Sequence, residues 1–205
     1  MNALYAFDAE YREAGYPVIA GIDEAGRGPL AGPVVAAAVA LNPAVEIEGI
    51  DDSKKLPAPK RKRLFYEILD NAIAIGVGVV EAAEIDRINI LNATKLAMSE
   101  AVADLRVRTD ILLIDALKLP GVECRQVSVI KGDAKSASIA AASIIAKVLR
   151  DSMMISLHEQ YPLYNFISHK GYCTKEHVEK IQAHGPCEIH RKTFAPVAVV
   201  KIPFL

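Results

Sequence analysis

The chain has 205 residues, 52% hydrophobic and 24% charged, and its 24 Lys and Arg nearly balance 25 Asp and Glu, for a net charge of −1. That is ample material for a packed core and gives no global charge signal for nucleic acid. The longest nearly apolar run, residues 29–41, falls short of the ~18 residues that a membrane span needs, so no membrane partner is expected.

The N-terminal stretch carries Asp8, Glu10 and Glu13 without a basic segment, which predicts no secretory leader. Residues 18–22 form an apolar run that reads as a buried strand and stops at Asp23 and Glu24. Residues 34–41, bounded by Pro33 and Pro43, read as a second strand paired with the first in a hairpin-like way. A helix is expected over 59–69, opened by a proline, then a strand over 73–80 and helices over 82–87 and 93–105. Residues 111–114 are another apolar run ending in a carboxylate, Asp115, and 123–129 read as the last strand. Residues 134–149 are apolar nearly all round, as in a buried helix. A further helix over 176–183 is stopped by Gly185 and Pro186. This order predicts an α/β fold, a mixed sheet with helices packed on it. One domain is expected, with residues 17–150 as its core and 151–205 as a helical C-terminal portion.

The acids carry the chemistry. Two buried runs end in carboxylates, and in open α/β sheets the carboxyl ends of neighbouring parallel strands form the ligand crevice. Asp23, Glu24, Asp115 and Asp133 converging there would hold two Mg²⁺ or Mn²⁺ ions, a pair that clamps both oxygens of an in-line phosphoryl displacement. Asp133 has a second reading, as the N-cap of the long helix. The loop Gly26-Arg27-Gly28-Pro29-Leu30-Ala31 fits the G-x-G-x-x-G/A dinucleotide pattern in form, but the β-branched run after Pro33 argues against the helix that pattern requires. Its other use is recognition of a sugar hydroxyl or phosphate by backbone amides. Local basic clusters occur at Lys54-Lys55, residues 60–63, His169-Lys170 and Arg191-Lys192. Any one alone reads as a solvated face; Lys54, Lys55, Lys131 and the 60–63 run are also candidate phosphate contacts.

Taken in order, the blocks 21–34, Asp52-Ser53-Lys54-Lys55-Leu56, Asn89-Ile90-Leu91-Asn92-Ala93-Thr94, Lys131-Gly132-Asp133, 141–148 with Arg150-Asp151, Tyr161-Pro162, Lys170-Gly171-Tyr172, and Gly185-Pro186 with His190-Arg191 resemble ribonuclease HII, the bacterial type 2 ribonuclease H, over nearly the whole chain. The resemblance implies a ribonuclease H-like core, a five-stranded mixed sheet flanked by helices with a C-terminal helical portion. It implies an endonuclease that cuts the RNA of RNA–DNA hybrids, or a DNA duplex containing single ribonucleotides, leaving 3′-hydroxyl and 5′-phosphate ends. It makes Asp23, Glu24, Asp115 and Asp133 the metal-site acids. It makes Gly26, Arg27 and Gly28 the loop that senses the ribose 2′-hydroxyl, and Tyr172 the ring that packs on the sugar beyond the junction. Ala116 and Cys173 stand where the family usually has a small residue such as Gly. The short segment before Val18 disfavours the related ribonuclease HIII.

Three cysteines, Cys124, Cys173 and Cys187, form no CxxC pair and fit a reducing cytosol. With His177, His184 and His190, Cys173 and Cys187 lack a usual zinc spacing. A monomeric cytoplasmic enzyme is expected. Two rivals remain at this level, a dinucleotide-dependent oxidoreductase built on the glycine loop and a hybrid-binding module without catalysis.

Overall fold

The computed structural model describes residues 2–200. Five strands form one sheet in the order β3-β2-β1-β4-β5: β1 (Ile19–Ala25), β2 (Val34–Leu41), β3 (Ala72–Val80), β4 (Ile111–Asp115) and β5 (Arg125–Val129). β1–β2 and β2–β3 are antiparallel, while β1–β4 and β4–β5 are parallel, so the sheet is mixed. The expected pairing of the first two strands is present, with Gly21 opposite Val39.

Among the described residues there are seven α-helices: α1 (Ala3–Glu13), α2 (Ala58–Asn71), α3 (Ala82–Ile88), α4 (Ile90–Asp104), α5 (Ala137–Gln160), α6 (Phe166–His169) and α7 (Lys175–His184), the last two packed beyond the sheet at the C-terminal end. β2 is buried at every position, and its alternation explains the layering. Ala37, Val39 and Leu41 face α2 and α5, while Ala36, Ala38 and Ala40 face the α3–α4 side. Alanines at both faces let helices approach a central strand closely.

Three features depart from the sequence reading. α1 was not anticipated. It is stapled to the start of α5 by the buried Asp8, which accepts from Ser136 Oγ (2.6 Å), Ser138 N (2.9 Å) and Ser138 Oγ (2.7 Å). α5 runs on to Gln160, so a division at residue 150 falls inside a continuous helix. Asp133 does not cap α5. It lies in a short 3-10 turn, Gly132–Ala134, and the cap is Ser136, whose side chain accepts from Ile139 N.

Candidate functional site

Parallel pairing puts Ile22 beside Ile114, so the next residues, Asp23 and Asp115, follow side by side at the carboxyl end of the β1–β4 ladder, each still paired to its outer neighbour strand. Asp23 is 3% exposed. Burial, then the charges of Glu24 and Asp115, push its carboxyl well above the usual carboxylate range. Burial also raises Glu24; Asp115 adds to the shift, and Arg27, 3.2 Å away, opposes it. Asp115 Oδ1 accepts from Gly132 N at 2.8 Å, which ties β4 to the turn that carries Asp133. Burial, then Asp52, raise Asp133, with Asp115 adding and Lys54 opposing. Asp115 thus acts on Asp23, on Glu24 and on Asp133, and so links the β1 acids to the turn that carries Asp133.

Lys54 Nζ stands 3.7 Å from Asp133 Oδ2. Burial alone would lower its ammonium, yet Asp23, Asp133, Asp52 and Glu24 together hold it above the usual lysine value. Asp23 Oδ2 and Glu24 Oε2 are buried with no hydrogen-bond partner. Buried, ionisable oxygens of this kind are costly unless a cation or donor reaches them. Among the described residues no three His, Cys, Asp or Glu side chains already share one ligating point. The acids stand in charge contact rather than in a closed cage. The donor set is all oxygen, which suits hard ions such as Mg²⁺ and Mn²⁺.

Beside the acids lies a pocket of about 320 Å³ lined by Glu24, Gly26, Arg27, Gly28, Ser53, Lys54, Lys147 and Tyr172, with Ala25. The glycine loop leads into β2, not into a helix, so the dinucleotide pattern lacks its essential element. Tyr172 is 40% exposed, with Lys147 Nζ 5.5 Å and Arg150 Cζ 5.6 Å from its ring centre.

Comparison with known proteins settles the family. The sequence profile described as Ribonuclease HII matches residues 20–197. The chain belongs to the ribonuclease HII family. It is 56% identical to the Ribonuclease HII of Acetivibrio thermocellus over 194 residues, 95% of this chain and 76% of that protein. The fold is similar to the ribonuclease H2 of Pyrococcus horikoshii OT3, with a TM-score of 0.74 and 28% identity over 89% of this chain and 96% of that one. It is also similar to the RNase HII of Archaeoglobus fulgidus, solved as a complex with PCNA, with a TM-score of 0.70 and 29% identity over 86% and 95% of the two chains. This ribonuclease HII is thus an endoribonuclease with a ribonuclease H-like sheet. No helix among the described residues is long and apolar enough to cross a membrane.

The basic residues of this ribonuclease HII divide sharply. Lys54 reaches the acids, whereas Lys55 pairs with Asp51 at 3.5 Å and lies off the pocket lining. Lys131 is exposed, in a left-handed conformation one residue before the Asp133 turn. In the 60–63 run, Arg61 holds the Ser53 and Leu56 carbonyls at 2.9 Å each, and Arg63 pairs with Glu67. Arg61 therefore shapes the loop that presents Lys54. The Arg191-Lys192 cluster is not a solvated face, because Arg191 is fully buried. His169 is buried too. Ser53, Ser143 and Lys147 were missed as site residues. Ser143 stands beside Asp23 and pairs with Ser53 Oγ at 2.8 Å. Their signal was their place in the blocks that carry the family resemblance.

The C-terminal histidines form a relay behind Tyr172. His177 Nδ1 lies 2.9 Å from the Tyr172 carbonyl, so it carries the proton and donates. His190 Nδ1 accepts from Cys187 N at 2.9 Å, which leaves His190 Nε2–H to donate to His177 Nε2 at 3.0 Å. Burial first, and neighbouring histidines with it, push both His177 and His190 down to about 4. An unfolded chain protonates these rings near pH 6.5. Their contribution to stability is therefore complete above that pH and lost as pH falls toward 4. Asp23 acts the other way, since a raised carboxyl takes up its proton in the folded state first. The urea midpoint should decline across this window, and more steeply in Asp23→Asn, which lacks the opposing contribution. Ring titrations by NMR should show both histidines neutral at pH 5; a midpoint near 6.5 for either would contradict the relay.

Proposed function

We propose that this ribonuclease HII cuts the RNA strand of RNA–DNA hybrids and also single ribonucleotides embedded in duplex DNA. Cleavage falls 5′ to the ribonucleotide and leaves 3′-hydroxyl and 5′-phosphate ends. The protein works as a monomer in the cytoplasm, with residues 17–150 as the catalytic core and the remainder as a helical portion of the same domain. Asp23, Glu24, Asp115 and Asp133 hold two divalent ions, Mg²⁺ or Mn²⁺. The observation that carries this reading is the pair of unpartnered buried oxygens, Asp23 Oδ2 and Glu24 Oε2, facing the charge of Asp115.

When bound, such ions activate water and stabilise the oxygens of an in-line displacement at phosphorus. The protein's own groups do the rest. Gly132 N holds Asp115 by one oxygen and leaves the other for a ligand. Lys54 neutralises the acids in the absence of ions and turns to a substrate phosphate when they are present. Lys147 supplies a second cation at the pocket wall, and Lys55 and Lys131 contact phosphates further out. The amides of Gly26–Gly28 receive the ribose 2′-hydroxyl, the one group that separates RNA from DNA at a single nucleotide. The Tyr172 ring packs on the following sugar and leaves no room for another hydroxyl there. A DNA duplex with one ribonucleotide, incubated with Mg²⁺, Mn²⁺ or EDTA, tests the whole reading. Metal-dependent nicking at the ribonucleotide is expected, whereas nicking in EDTA or an uncut duplex contradicts it.

A further inference from the structure

Arg191 is a large, fully buried cation with no carboxylate among its hydrogen-bond partners. All of its donors go to carbonyls of one loop. Nε and Nη2 bond Gly32 O at 3.0 and 2.8 Å, Nη1 bonds Arg27 O and Pro29 O at 3.0 and 2.9 Å, and Nη2 bonds Gly26 O at 2.6 Å. Its own backbone N–H bonds Leu30 O at 2.8 Å, so the base of the side chain is fixed as well. Asp86 offers Arg191 charge at longer range and Arg150 opposes it, so burying this cation with only carbonyls in hydrogen-bond contact is an expensive way to brace a loop.

Peptide geometry shows what the arrangement achieves. The carbonyl and N–H of a trans peptide point in opposite directions. The Gly26 carbonyl shares its peptide with the Arg27 N–H, and the Arg27 carbonyl shares its peptide with the Gly28 N–H. With both carbonyls turned to the guanidinium, both N–H groups point away from it. Gly26, Arg27 and Gly28 all line the 320 Å³ pocket that holds Glu24, Lys54 and Tyr172. Neither amide has a protein acceptor among the described residues. A cation behind a peptide also polarises it and makes its N–H a stronger donor.

We propose that Arg191 is a positioning residue for ribose discrimination, orienting and polarising the Arg27 and Gly28 amides toward a substrate 2′-hydroxyl oxygen. This rests on the reading of the glycine loop given above. A planar, five-donor guanidinium is needed to span four carbonyls at once, and a lysine ammonium with three donors cannot replace it.

The test compares the wild type with Arg191→Lys. A second variant, Ile181→Ala, loosens the cluster that packs on Leu30 and Ala31 of the loop while leaving every Arg191 hydrogen bond in place. Each is checked for folding by circular dichroism. Affinity is then measured by fluorescence anisotropy in EDTA for two duplexes identical except for one ribonucleotide or deoxynucleotide. Arg191→Lys should lose roughly tenfold of the ribo-over-deoxy preference while keeping its affinity for the all-DNA duplex. Ile181→Ala should keep the preference. An unchanged ratio in Arg191→Lys, or an equal loss for both duplexes, overturns the proposal. If the wild type itself shows no preference, the glycine-loop reading fails instead. Should Arg191→Lys not fold, the wild-type amide resonances decide. The Arg27 and Gly28 signals must shift with the ribonucleotide duplex and not with its all-DNA twin, and equal response to both overturns the proposal.

Discussion

Asp23→Asn should lower ribonucleolytic turnover by about 10³-fold or more while raising the melting temperature of the protein. The two effects share a cause. Asp23 is buried, one of its oxygens has no partner, and Glu24 and Asp115 press on it with like charge. On the proposed metal reading the folded protein bears that repulsion in order to hold a cation, so removing the charge should relieve strain and remove the site together. Asn keeps the size of the side chain and an oxygen that can still accept from Glu24 N, a bond of 2.7 Å in the native protein. Thermal melts without divalent ions, paired with single-turnover cleavage, measure both quantities. A variant that is inactive and also less stable would mean that Asp23 serves the fold rather than the ions.

Gly21→Ala should be one of the most damaging single methyl additions among the described residues, alongside Gly76→Ala and Gly78→Ala, whose Cβ atoms would also meet backbone. β1 lies against the start of α5, and a Cβ at Gly21 would overlap the Ser138 carbonyl carbon and oxygen and the Ile139 nitrogen. These are backbone atoms at the first turn of a capped, stapled helix and cannot rotate away. Overpacking against backbone costs about 3 kcal/mol or more, and each 1 kcal/mol lowers the melting temperature by about 2–4 °C at this size. Gly28→Ala is the matching control for stability, because a Cβ there meets nothing within 4 Å. If Gly21→Ala melts like the wild type, the close approach of β1 and α5 is wrong. The damage would reach the chemistry as well, since the displaced helix follows directly on the turn carrying Asp133.

Much of this was legible in the sequence because the central strands are buried on both faces and read as unbroken apolar runs. Two of them end in acids, and their parallel pairing is what brings positions 23 and 115 together. α1 was not legible. Its stripe of Leu4, Phe7 and Tyr11 is only partly buried, and the acids between them, Asp8 and Glu10, gave the segment the look of solvent-facing sequence. The far half of α5 was hidden for a related reason. Arg150 and Asp151 look like the end of a buried helix, yet Arg150 is itself buried, donating to the Pro33 and Ala31 carbonyls at 2.9 and 3.1 Å, and Met154 beyond it is buried too. Buried arginines satisfied by main-chain oxygens carry no pattern that charge counting can detect, which is why Arg191 looked like surface. The chain ends in an apolar stretch, residues 200–205, which lies outside the described residues from position 201 onward.

The parallel pairing of β1 with β4 also sets when this enzyme becomes an enzyme. Asp23 and Asp133 are about 110 residues apart, and a ribosome adding about 5–20 residues per second needs several seconds or more to deliver the second after the first. The antiparallel β1–β2–β3 ribbon is complete by residue 80 and carries two of the four acids by itself. On the proposed reading, a growing chain at that stage holds half of a cation trap and no blade. If the four acids act together as proposed, scission of nucleic acid waits until about two-thirds of the polypeptide, through Asp133, has been made.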